Sequence, residues 1–260
     1  MILTIDVGNT NITLGLYSEA GEFYFLSRLA TDKKATGDQY AALIHAIVTL
    51  NGRDPGSITG SIVSSVVPQI RSALVQALKL LTGEEPLVVG PGLKTGLNIL
   101  IEDPAELGAD LVVDAVMALK RYTPPIILVD VGTATKVSAI DKKGSYLGCA
   151  IMPGIRIGGE ALSSSAALLT HISLDDTFRA IGRNSADSMR SGLLYGHADM
   201  VSGMVRRYEK ELGPSTVVLT GGDAHLIRPY IDCALHHDAN LLMDGLYYLY
   251  TKNSKTAKKF

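Results

Sequence analysis

Two short segments of the chain place an aspartate, a glycine and small amide or hydroxyl residues in the same order. Asp6-Val-Gly-Asn-Thr-Asn follows the apolar run at 2–5, and Asp130-Val-Gly-Thr-Ala-Thr follows the apolar run at 126–129. A carboxylate behind a hydrophobic strand lies at the strand end, where open α/β sheets bind ligands. The glycine lets a phosphate approach the backbone, while the Asn and Thr side chains and the turn N–H groups donate hydrogen bonds to phosphate oxygens.

An aspartate beside a phosphate repels it unless a cation lies between them, so Asp6 indicates Mg²⁺. One such segment alone would be typical of an ordinary hairpin turn. Two at matched positions of a repeated chain favour a site that holds the phosphates of a nucleotide from both sides. A Walker A loop is absent, and Gly154-Ile-Arg-Ile-Gly-Gly lacks the setting of a dinucleotide fingerprint. The pattern is that of the actin/hexokinase type of ATPase.

The elements around these segments also repeat. Each copy predicts strand, turn, strand, turn, strand: the second strands are Ile12–Tyr17 and Val137–Ile140, and the third are Glu22–Leu29 and Ser145–Ile151. Apolar spacing and capping residues predict helices over Asp38–Leu50, Pro68–Leu81, Asp103–Tyr122, Ser185–Glu211 and Asn240–Tyr250, and strands over Ile58–Val67 and Thr216–Thr220.

We therefore predict an α/β protein with a duplicated actin/hexokinase-like (ribonuclease H-like) two-lobed fold and a central cleft. Residues 1–115 form the N-terminal lobe with the first phosphate hairpin. Residues 116–260 form the C-terminal lobe with the second phosphate hairpin and the long helix from Ser185.

Composition narrows the class of protein. Hydrophobic residues make up 47% and charged residues 19% of 260 residues, and the net charge is −2, so no basic surplus indicates nucleic acid or an anionic membrane. The two cysteines, Cys149 and Cys233, have neither disulfide-framework nor zinc spacing. No apolar run reaches the 18 or so residues of a spanning helix, and the N-terminus lacks the features of a signal peptide. We expect a cytoplasmic protein that binds neither nucleic acid nor membrane.

A set of short segments resembles, in order and spacing, the signatures of type III pantothenate kinases. Besides the two aspartate segments the set comprises Gly108-Ala-Asp, Ile151-Met-Pro-Gly, Gly182-Arg-Asn-Ser, Gly192, Gly196 and Thr220-Gly-Gly-Asp. Each piece alone is weak, but the ordered set covers nearly the whole chain. The resemblance implies ATP-dependent phosphorylation of pantothenate to 4′-phosphopantothenate, the first step of coenzyme A biosynthesis.

The resemblance also implies roles for individual residues. The ATP-binding residues would be Asp6, Val7, Gly8, Asn9, Thr10, Asn11, Ile12, Thr13 and Thr133, with Asp6 near Mg²⁺. Asp130 would hold a monovalent cation, K⁺ or NH₄⁺. The substrate-binding positions would be Ile101, Gly108, Ala109, Asp110, Leu111 and Ser185. Asp110 would be the general base, and Ser185 would contact substrate in the neighbouring subunit of a homodimer.

The residues around Asp110 bear on its role independently of the resemblance. Phosphoryl transfer needs positioning, charge neutralisation and a group that accepts the hydroxyl proton. We predict that Asp110 lies about two turns into the helix that starts at Pro104, among apolar neighbours, with Gly108 leaving room for an approaching group. Such a carboxylate is either a buried structural partner or a catalytic base. Asp114, one turn on, is a rival on the same helical face.

The chain departs from the family pattern at two positions that contact pantothenate in the family. Leu111 replaces an Arg and Ile101 replaces a Tyr. One Arg hydrogen bond is worth roughly 1.5–3 kcal/mol, or on the order of 10- to 150-fold in affinity. Two polar contacts replaced by aliphatic side chains indicate a more apolar acceptor pocket.

Lys136 is a further departure, because it stands where a second Thr is expected. Its ammonium group either lies near Asp130 and replaces the monovalent cation, or points to solvent from an edge strand. We interpret His171 and His197 as packing or surface residues rather than ligands.

The leading hypothesis is therefore a pantothenate kinase that uses ATP. The alternatives are a kinase of the same fold acting on another small alcohol, a nucleotide-binding regulator without turnover, and a phosphohydrolase.

Overall fold

The computed structural model describes residues 1–165 and 169–254, which fall into two compact units. The first unit comprises Met1–Gly96, Ala105–Met117 and the chain from Leu241 onward, and the second comprises Leu97–Pro104 and Ala118–Asn240.

The first unit is built on a five-stranded sheet. Its strands are β1 (Ile2–Val7), β2 (Asn11–Tyr17), β3 (Phe23–Ala30), β4 (Gly60–Ser65) and β5 (Leu87–Val88), in the order β3-β2-β1-β4-β5. The strands β1, β2 and β3 form an antiparallel meander, while β4 and β5 run parallel to β1. Two helices, α1 (Gly37–Leu50) and α2 (Arg71–Thr82), contribute Ile44 and Leu74 to a core with Leu3, Ile5 and Val7. The period of two along β1 directs these three side chains to one face.

The second unit repeats this design. Its strands are β6 (Asn98–Ile99), β7 (Ile126–Val131), β8 (Ala134–Ile140), β9 (Ser145–Pro153), β10 (Thr216–Thr220) and β11 (His236–His237), in the order β11-β10-β7-β8-β9-β6. The strands β7, β8 and β9 form an antiparallel meander, and β10 and β11 run parallel to β7. Apart from β6, the strand order matches that of the first sheet. The predicted duplicated α/β fold is confirmed.

Five further helices and four short 3₁₀ turns complete the described part of the chain. The helices are α3 (Ala109–Arg121), α4 (Ile155–Ser165), α5 (Ser185–Leu212), α6 (Ala224–Ile227) and α7 (Leu241–Asn253); the 3₁₀ turns are Pro55–Ser57, Pro68–Ile70, Pro104–Glu106 and Arg228–Tyr230. Across the described residues, none of the helices combines the length and the apolarity needed to cross a membrane.

The C-terminal helix α7 groups with the first unit, whereas the predicted boundary placed it in the second lobe. It packs on the face of the first sheet opposite α1 and α2. The Tyr247 ring stacks on Tyr17 with centroids 4.8 Å apart, and the Tyr17 hydroxyl donates to Asp244 Oδ1 at 2.5 Å. A Cβ on Gly60 would meet the Tyr250 hydroxyl at 1.9 Å, so the glycine admits the ring. Burial of these rings, rather than sequence distance, decides where the helix belongs.

The helix predicted from Asp103 begins later than expected. A 3₁₀ turn, Pro104–Glu106, is followed by an interruption, and α3 starts at Ala109. The position of Asp110 two turns into a helix is therefore wrong, since it is the second residue of α3. Gly108 lies at the interruption, and glycine has low helix propensity.

The other predicted helices are confirmed with small shifts of their ends. Asn184, not Ser185, caps α5: its Oδ1 accepts from the Asp187 N–H at 2.8 Å. The helix α4 was not predicted, because its Gly-Gly pair and serine run have weak helix propensity.

Candidate active site

The first hairpin turn, residues 8–10, links β1 to β2. The Gly8 N–H donates to the Asn11 carbonyl at 2.9 Å. From β3's end, the Thr31 hydroxyl donates to the Gly8 carbonyl at 2.7 Å, and the Thr31 N–H donates to the Thr10 carbonyl at 3.0 Å. The turn is thus held from two sides, and the side chains of Asn9, Thr10 and Asn11 are exposed. These are neutral donors of the kind that phosphate oxygens accept from.

The predicted phosphate loop divides into two kinds of residue. Val7 and Ile12 are 0% exposed and belong to the core, so only their main chains are available to a ligand. Asp6 and Thr13 are half-buried cross-strand partners at the end of β1, on the face opposite Val7. A carboxylate therefore lies directly beneath the exposed turn.

The second hairpin is one residue shorter than the first. Thr135 pairs with Val131 across a three-residue turn, whereas Ile12 pairs with Val7 across four residues. Thr133 at the tip is exposed, and its carbonyl accepts from the Gly154 N–H at 3.2 Å.

Two glycines let neighbouring segments pack on this second turn. A Cβ on Gly154 would meet the Gly132 carbonyl at 2.3 Å, and one on Gly221 would meet Asp130 Oδ1 at 2.5 Å. The Gly221 φ of +99° is also a conformation that other residues rarely adopt. Both glycines fix the backbone on which Asp130 and Thr133 stand.

Asp130 forms an ion pair with Lys136. The Nζ–Oδ2 distance is 3.0 Å, and the two side chains are 20% (Lys136) and 15% (Asp130) exposed. The two residues are cross-strand partners, as Asp6 and Thr13 are in the first hairpin. Of the two orientations open at the sequence level for Lys136, the one toward Asp130 is confirmed.

Asp110 is half-buried in the first turn of α3, and Gly108 shapes its surroundings. A Cβ on Gly108 would lie 2.5 Å from Asp110 Oδ1 and 3.8 Å from Val66, the residue just after β4. Asp110 Oδ1 also accepts from the Leu111 N–H at 2.9 Å. The carboxylate therefore folds back over Gly108, close to the end of the strand that neighbours β1.

The neighbours of Asp110 differ sharply in exposure. Asp114 is 2% exposed and Leu111 is 5% exposed, whereas Ala109 and Asp110 are half-buried. Of the two candidate carboxylates, Asp110 is the one that a ligand can reach. The Leu111 side chain, which stands where the resemblance places an Arg, packs into the interior and is largely inaccessible to a ligand.

Two predicted substrate residues lie in the second unit. Ile101 is half-buried and follows β6. Ser185 is exposed at the start of α5 and lines an open hollow of about 560 Å³ with Arg183 and Asn184. The first unit holds Asp6, the first turn and Gly108–Leu111, and the second holds Asp130, Thr133, Ile101 and Ser185.

Sequence reasoning missed the place of His197 beside the second hairpin. This buried residue of α5 lies with a ring nitrogen 2.7 Å from the Thr135 hydroxyl, and Thr135 is fully buried. Burial lowers the pKa of His197 below its ordinary value, and the nearby Asp223 opposes the shift. No sequence signal indicated this contact, because 62 residues separate the partners.

Asp6 fits a magnesium ion of the kind that accompanies a nucleotide. Within the described ranges, no group of three or more His, Cys, Asp and Glu side chains is arranged to hold a metal by itself. Mg²⁺ at nucleotide sites is bound by one or two carboxylates together with phosphates and waters. A single half-buried carboxylate beneath a phosphate-type turn meets that requirement.

Comparison with known proteins shows the family to which the chain belongs. The family model described as type III pantothenate kinase matches residues 2–207. A type III pantothenate kinase of an Exiguobacterium species is 42% identical over 98% of this chain and 100% of its own length. Those of Moorella thermoacetica and Bacillus cytotoxicus are 40% and 43% identical over 98% of this chain, covering 100% and 97% of their own lengths.

Solved structures of lower identity share the fold. The activator of the 2-hydroxyisocaproyl-CoA dehydratase from Clostridium difficile, with bound ADPNP, has a TM-score of 0.55 at 11% identity, covering 100% of this chain and 97% of its own. A structure provisionally assigned as a 2-dehydro-3-deoxygalactonokinase from Sinorhizobium meliloti has a TM-score of 0.58 at 13% identity, covering 98% and 97%. The fold is the actin/hexokinase-like one.

Replacing Gly154 by Ala should destabilise the second unit. The added methyl group would meet the Gly132 and Thr133 carbonyls at 2.3 and 2.4 Å, and overpacking of this kind costs roughly 1–3 kcal/mol. Thermal unfolding checks the effect. The control is Gly203→Ala in α5, where the nearest atom is 3.9 Å away and the change should be neutral or slightly stabilising. Equal melting temperatures for Gly154→Ala and wild type would contradict the packing.

The stability of the protein should fall on acidification partly because of His197. The unfolded chain binds a proton at this residue as the pH falls through about 6.5, while the folded chain resists protonation until lower pH. Stability is therefore lost on going below that value. The melting temperature of His197→Gln should decline less between about pH 7.5 and 5.5 than that of wild type. Burial also lowers the pKa of His237, so the test compares how steeply the melting temperature falls with pH in wild type and in His197→Gln. Identical slopes would contradict the contribution of His197.

Proposed function

The chain belongs to the type III pantothenate kinase family, and from that premise we propose that it transfers the γ-phosphoryl group of ATP to the hydroxyl of pantothenate. The products are ADP and 4′-phosphopantothenate, and the reaction is the first step of coenzyme A biosynthesis. The observation that carries the proposal is the presence, in one compact unit, of a phosphate-type turn above Asp6 and a reachable carboxylate, Asp110. The identity of the acceptor comes from the full-length relatives.

Asp110 acts as the general base in this proposal. As the pantothenate hydroxyl oxygen bonds to the γ-phosphorus, its proton passes to the Asp110 carboxylate. The bond between the γ-phosphorus and the bridging oxygen breaks at the same centre, and ADP carries away the electron pair. Phosphoryl transfer needs little more from a protein than this positioning and charge neutralisation.

The first turn and Asp6 would bind the phosphates. The main-chain N–H groups of the turn and the exposed Asn9, Thr10 and Asn11 side chains donate to phosphate oxygens. Asp6 would hold Mg²⁺, which when bound neutralises the charge of the β- and γ-phosphates. Thr133, exposed at the tip of the second turn, offers a neutral hydroxyl donor of the same kind.

Lys136 takes the place of a monovalent cation in this proposal. The resemblance assigns K⁺ or NH₄⁺ to Asp130, but the Lys136 ammonium lies 3.0 Å from that carboxylate. A charge paired at this distance in a mostly buried place is already neutralised. The ion pair therefore supports an enzyme that does not require added K⁺.

A second candidate acceptor is a less polar small alcohol. The half-buried Ile101 favours it, because an aliphatic side chain offers no hydrogen bond to the pantothenate carboxylate or amide. Assays of a panel of small alcohols beside pantothenate decide between the two candidate acceptors. A higher kcat/KM for another alcohol would identify that alcohol as the substrate.

We further propose a homodimer located in the cytoplasm. The second unit exposes Leu147 and Ile151 on β9 and Ile157 and Leu162 on α4, and a second copy of the chain would cover these apolar side chains. Both cysteines are free, as is usual in a reducing compartment. Sedimentation equilibrium that returned the mass of one chain would remove the dimer and the role of Ser185 in a neighbouring site.

The variant Asp110→Asn tests the function directly. Loss of the base should lower kcat for pantothenate phosphorylation by roughly 10²–10⁴-fold, while binding of Mg²⁺ and ATP stays within a few-fold of wild type. Glu106→Gln is the matched control, an exposed carboxylate four positions earlier that should leave turnover unchanged. Undiminished turnover by Asp110→Asn would show that Asp110 is not the general base. If wild type bound ATP but did not turn it over, a nucleotide-binding regulator would be favoured.

Lys136→Thr places in the second hairpin the residue type that Thr13 supplies in the first. Wild-type turnover should be the same in KCl and in choline chloride, because the ammonium group is tethered. The variant should lose turnover in choline chloride and recover at least part of it as KCl is added. Lys142→Thr, an exposed lysine in the turn after β8, should behave as wild type. If wild type required K⁺, or if K⁺ did not change the turnover of Lys136→Thr, the Lys136 ammonium group would not replace the monovalent cation.

A further inference from the structure

Ser64, on β4, carries a buried hydroxyl that the proposed mechanism does not use. The residue is 0% exposed, and among the residues that the structure describes its hydroxyl has no hydrogen-bond partner. Burying a hydroxyl without a partner costs stability, so such a group in a folded chain calls for an explanation.

The strand register places Ser64 beside Asp6. The two residues are direct partners in the parallel pair β1–β4. Partners in neighbouring strands point to the same face and lie about 4.8 Å apart. That face is opposite to the one on which Ile5, Val7 and Val63 pack in the core. The nearest carboxylate in register with the hydroxyl is therefore the one that serves the phosphate turn.

Ser61, on the same strand, has a similarly buried hydroxyl but no aspartate beside it. It is 2% exposed and also without a hydrogen-bond partner in the described part of the chain, but its partner in register is Leu3. Ser61 is thus equal to Ser64 in burial and hydrogen bonding, and it differs in what lies beside it.

The second unit repeats the pairing of an aspartate with a hydroxyl residue. Asp130 pairs in register with Thr220 on the parallel strand β10, and Thr220 is buried. The duplicated sheets have thus kept a hydroxyl side chain beside each hairpin aspartate. They also show that a Thr fits this position of the fold.

We infer that Ser64 is a positioning residue for Asp6, an inference that rests on the proposed function. When Mg²⁺ and nucleotide bind at the first turn, the Ser64 hydroxyl donates a hydrogen bond to the Asp6 carboxylate. This bond fixes the orientation of the carboxylate that would hold Mg²⁺. A hydroxyl hydrogen rotates freely to meet such an acceptor, and hydrogen bonds at active sites often tighten only in the complex.

The test compares Ser64→Ala, Ser61→Ala and Ser64→Thr in two measurements. Calorimetric titration with a non-hydrolysable ATP analogue, at a series of Mg²⁺ concentrations, gives the Mg²⁺ concentration for half-maximal binding. Thermal unfolding without nucleotide gives the stability of the fold. Neither measurement needs pantothenate or turnover.

Ser64→Ala should raise the half-maximal Mg²⁺ concentration roughly 10-fold, the size of one hydrogen bond to a charged group. Its melting temperature without nucleotide should be unchanged or higher, because an unpartnered hydroxyl is removed. Ser61→Ala should leave the Mg²⁺ dependence at the wild-type value, and Ser64→Thr should restore it.

Three results would overturn the inference alone while wild type binds the Mg²⁺–nucleotide. They are an unchanged Mg²⁺ dependence in Ser64→Ala, an equal shift in Ser61→Ala, and a large loss of melting temperature in Ser64→Ala. Failure of wild type to bind the analogue at any Mg²⁺ concentration would overturn the proposed function as well.

Discussion

Each half of this protein has a carboxylate one residue before the end of a buried strand, and the rest of the site follows from neutralising that charge. A carboxylate removed from water is costly unless a cation or hydrogen-bond donors meet it. In the second unit the neutralising group is part of the chain, the Lys136 ammonium 3.0 Å from Asp130. In the first unit the cross-strand partner of Asp6 is the neutral Thr13. The residue across from the hairpin aspartate thus differs between the two units: it is a lysine in the second and a threonine in the first.

The turns above these carboxylates depend on glycines, because a Cβ atom at these positions would clash with neighbouring atoms. Gly154 and Gly221 admit neighbouring backbone to within van der Waals contact of the second turn, and Gly108 gives Asp110 room to fold back over the start of α3. Threonines complete the arrangement: Thr31 holds the first turn, and Thr135 connects the second hairpin to His197. Rigid turns of this kind preorganise donors for phosphate, which is the main contribution that a protein makes to phosphoryl transfer.

Much of this organisation could be predicted from the sequence, because the duplicated segments carry their strand pattern and their polar residues together. Features set by packing between distant segments could not. The place of α7 is decided by Tyr247 on Tyr17 and Tyr250 over Gly60, and no local signal reports such contacts. The helix around Asp110 was placed too early, since the cap-like Asp103-Pro104 opens only a 3₁₀ turn.

The orientation of the Lys136 side chain could not be predicted from the sequence. Sequence alone left two directions open, and the choice depends on how many residues the turn contains. A three-residue turn in the second hairpin puts Lys136 directly across from Asp130. One residue more would have turned its side chain to the other face of the sheet. The contact of His197 with Thr135 and the pairing of Ser64 with Asp6 are likewise consequences of register and long-range packing.

The stoichiometry of ATP consumption by the purified protein, followed by ³¹P nuclear magnetic resonance with and without pantothenate, distinguishes a kinase from a phosphohydrolase and from a regulator. We expect one 4′-phosphopantothenate for each ADP formed, and no ADP when pantothenate is omitted. Release of inorganic phosphate at the same rate without pantothenate would identify a phosphohydrolase. ATP binding with no product in either condition would identify a regulator and contradict the kinase.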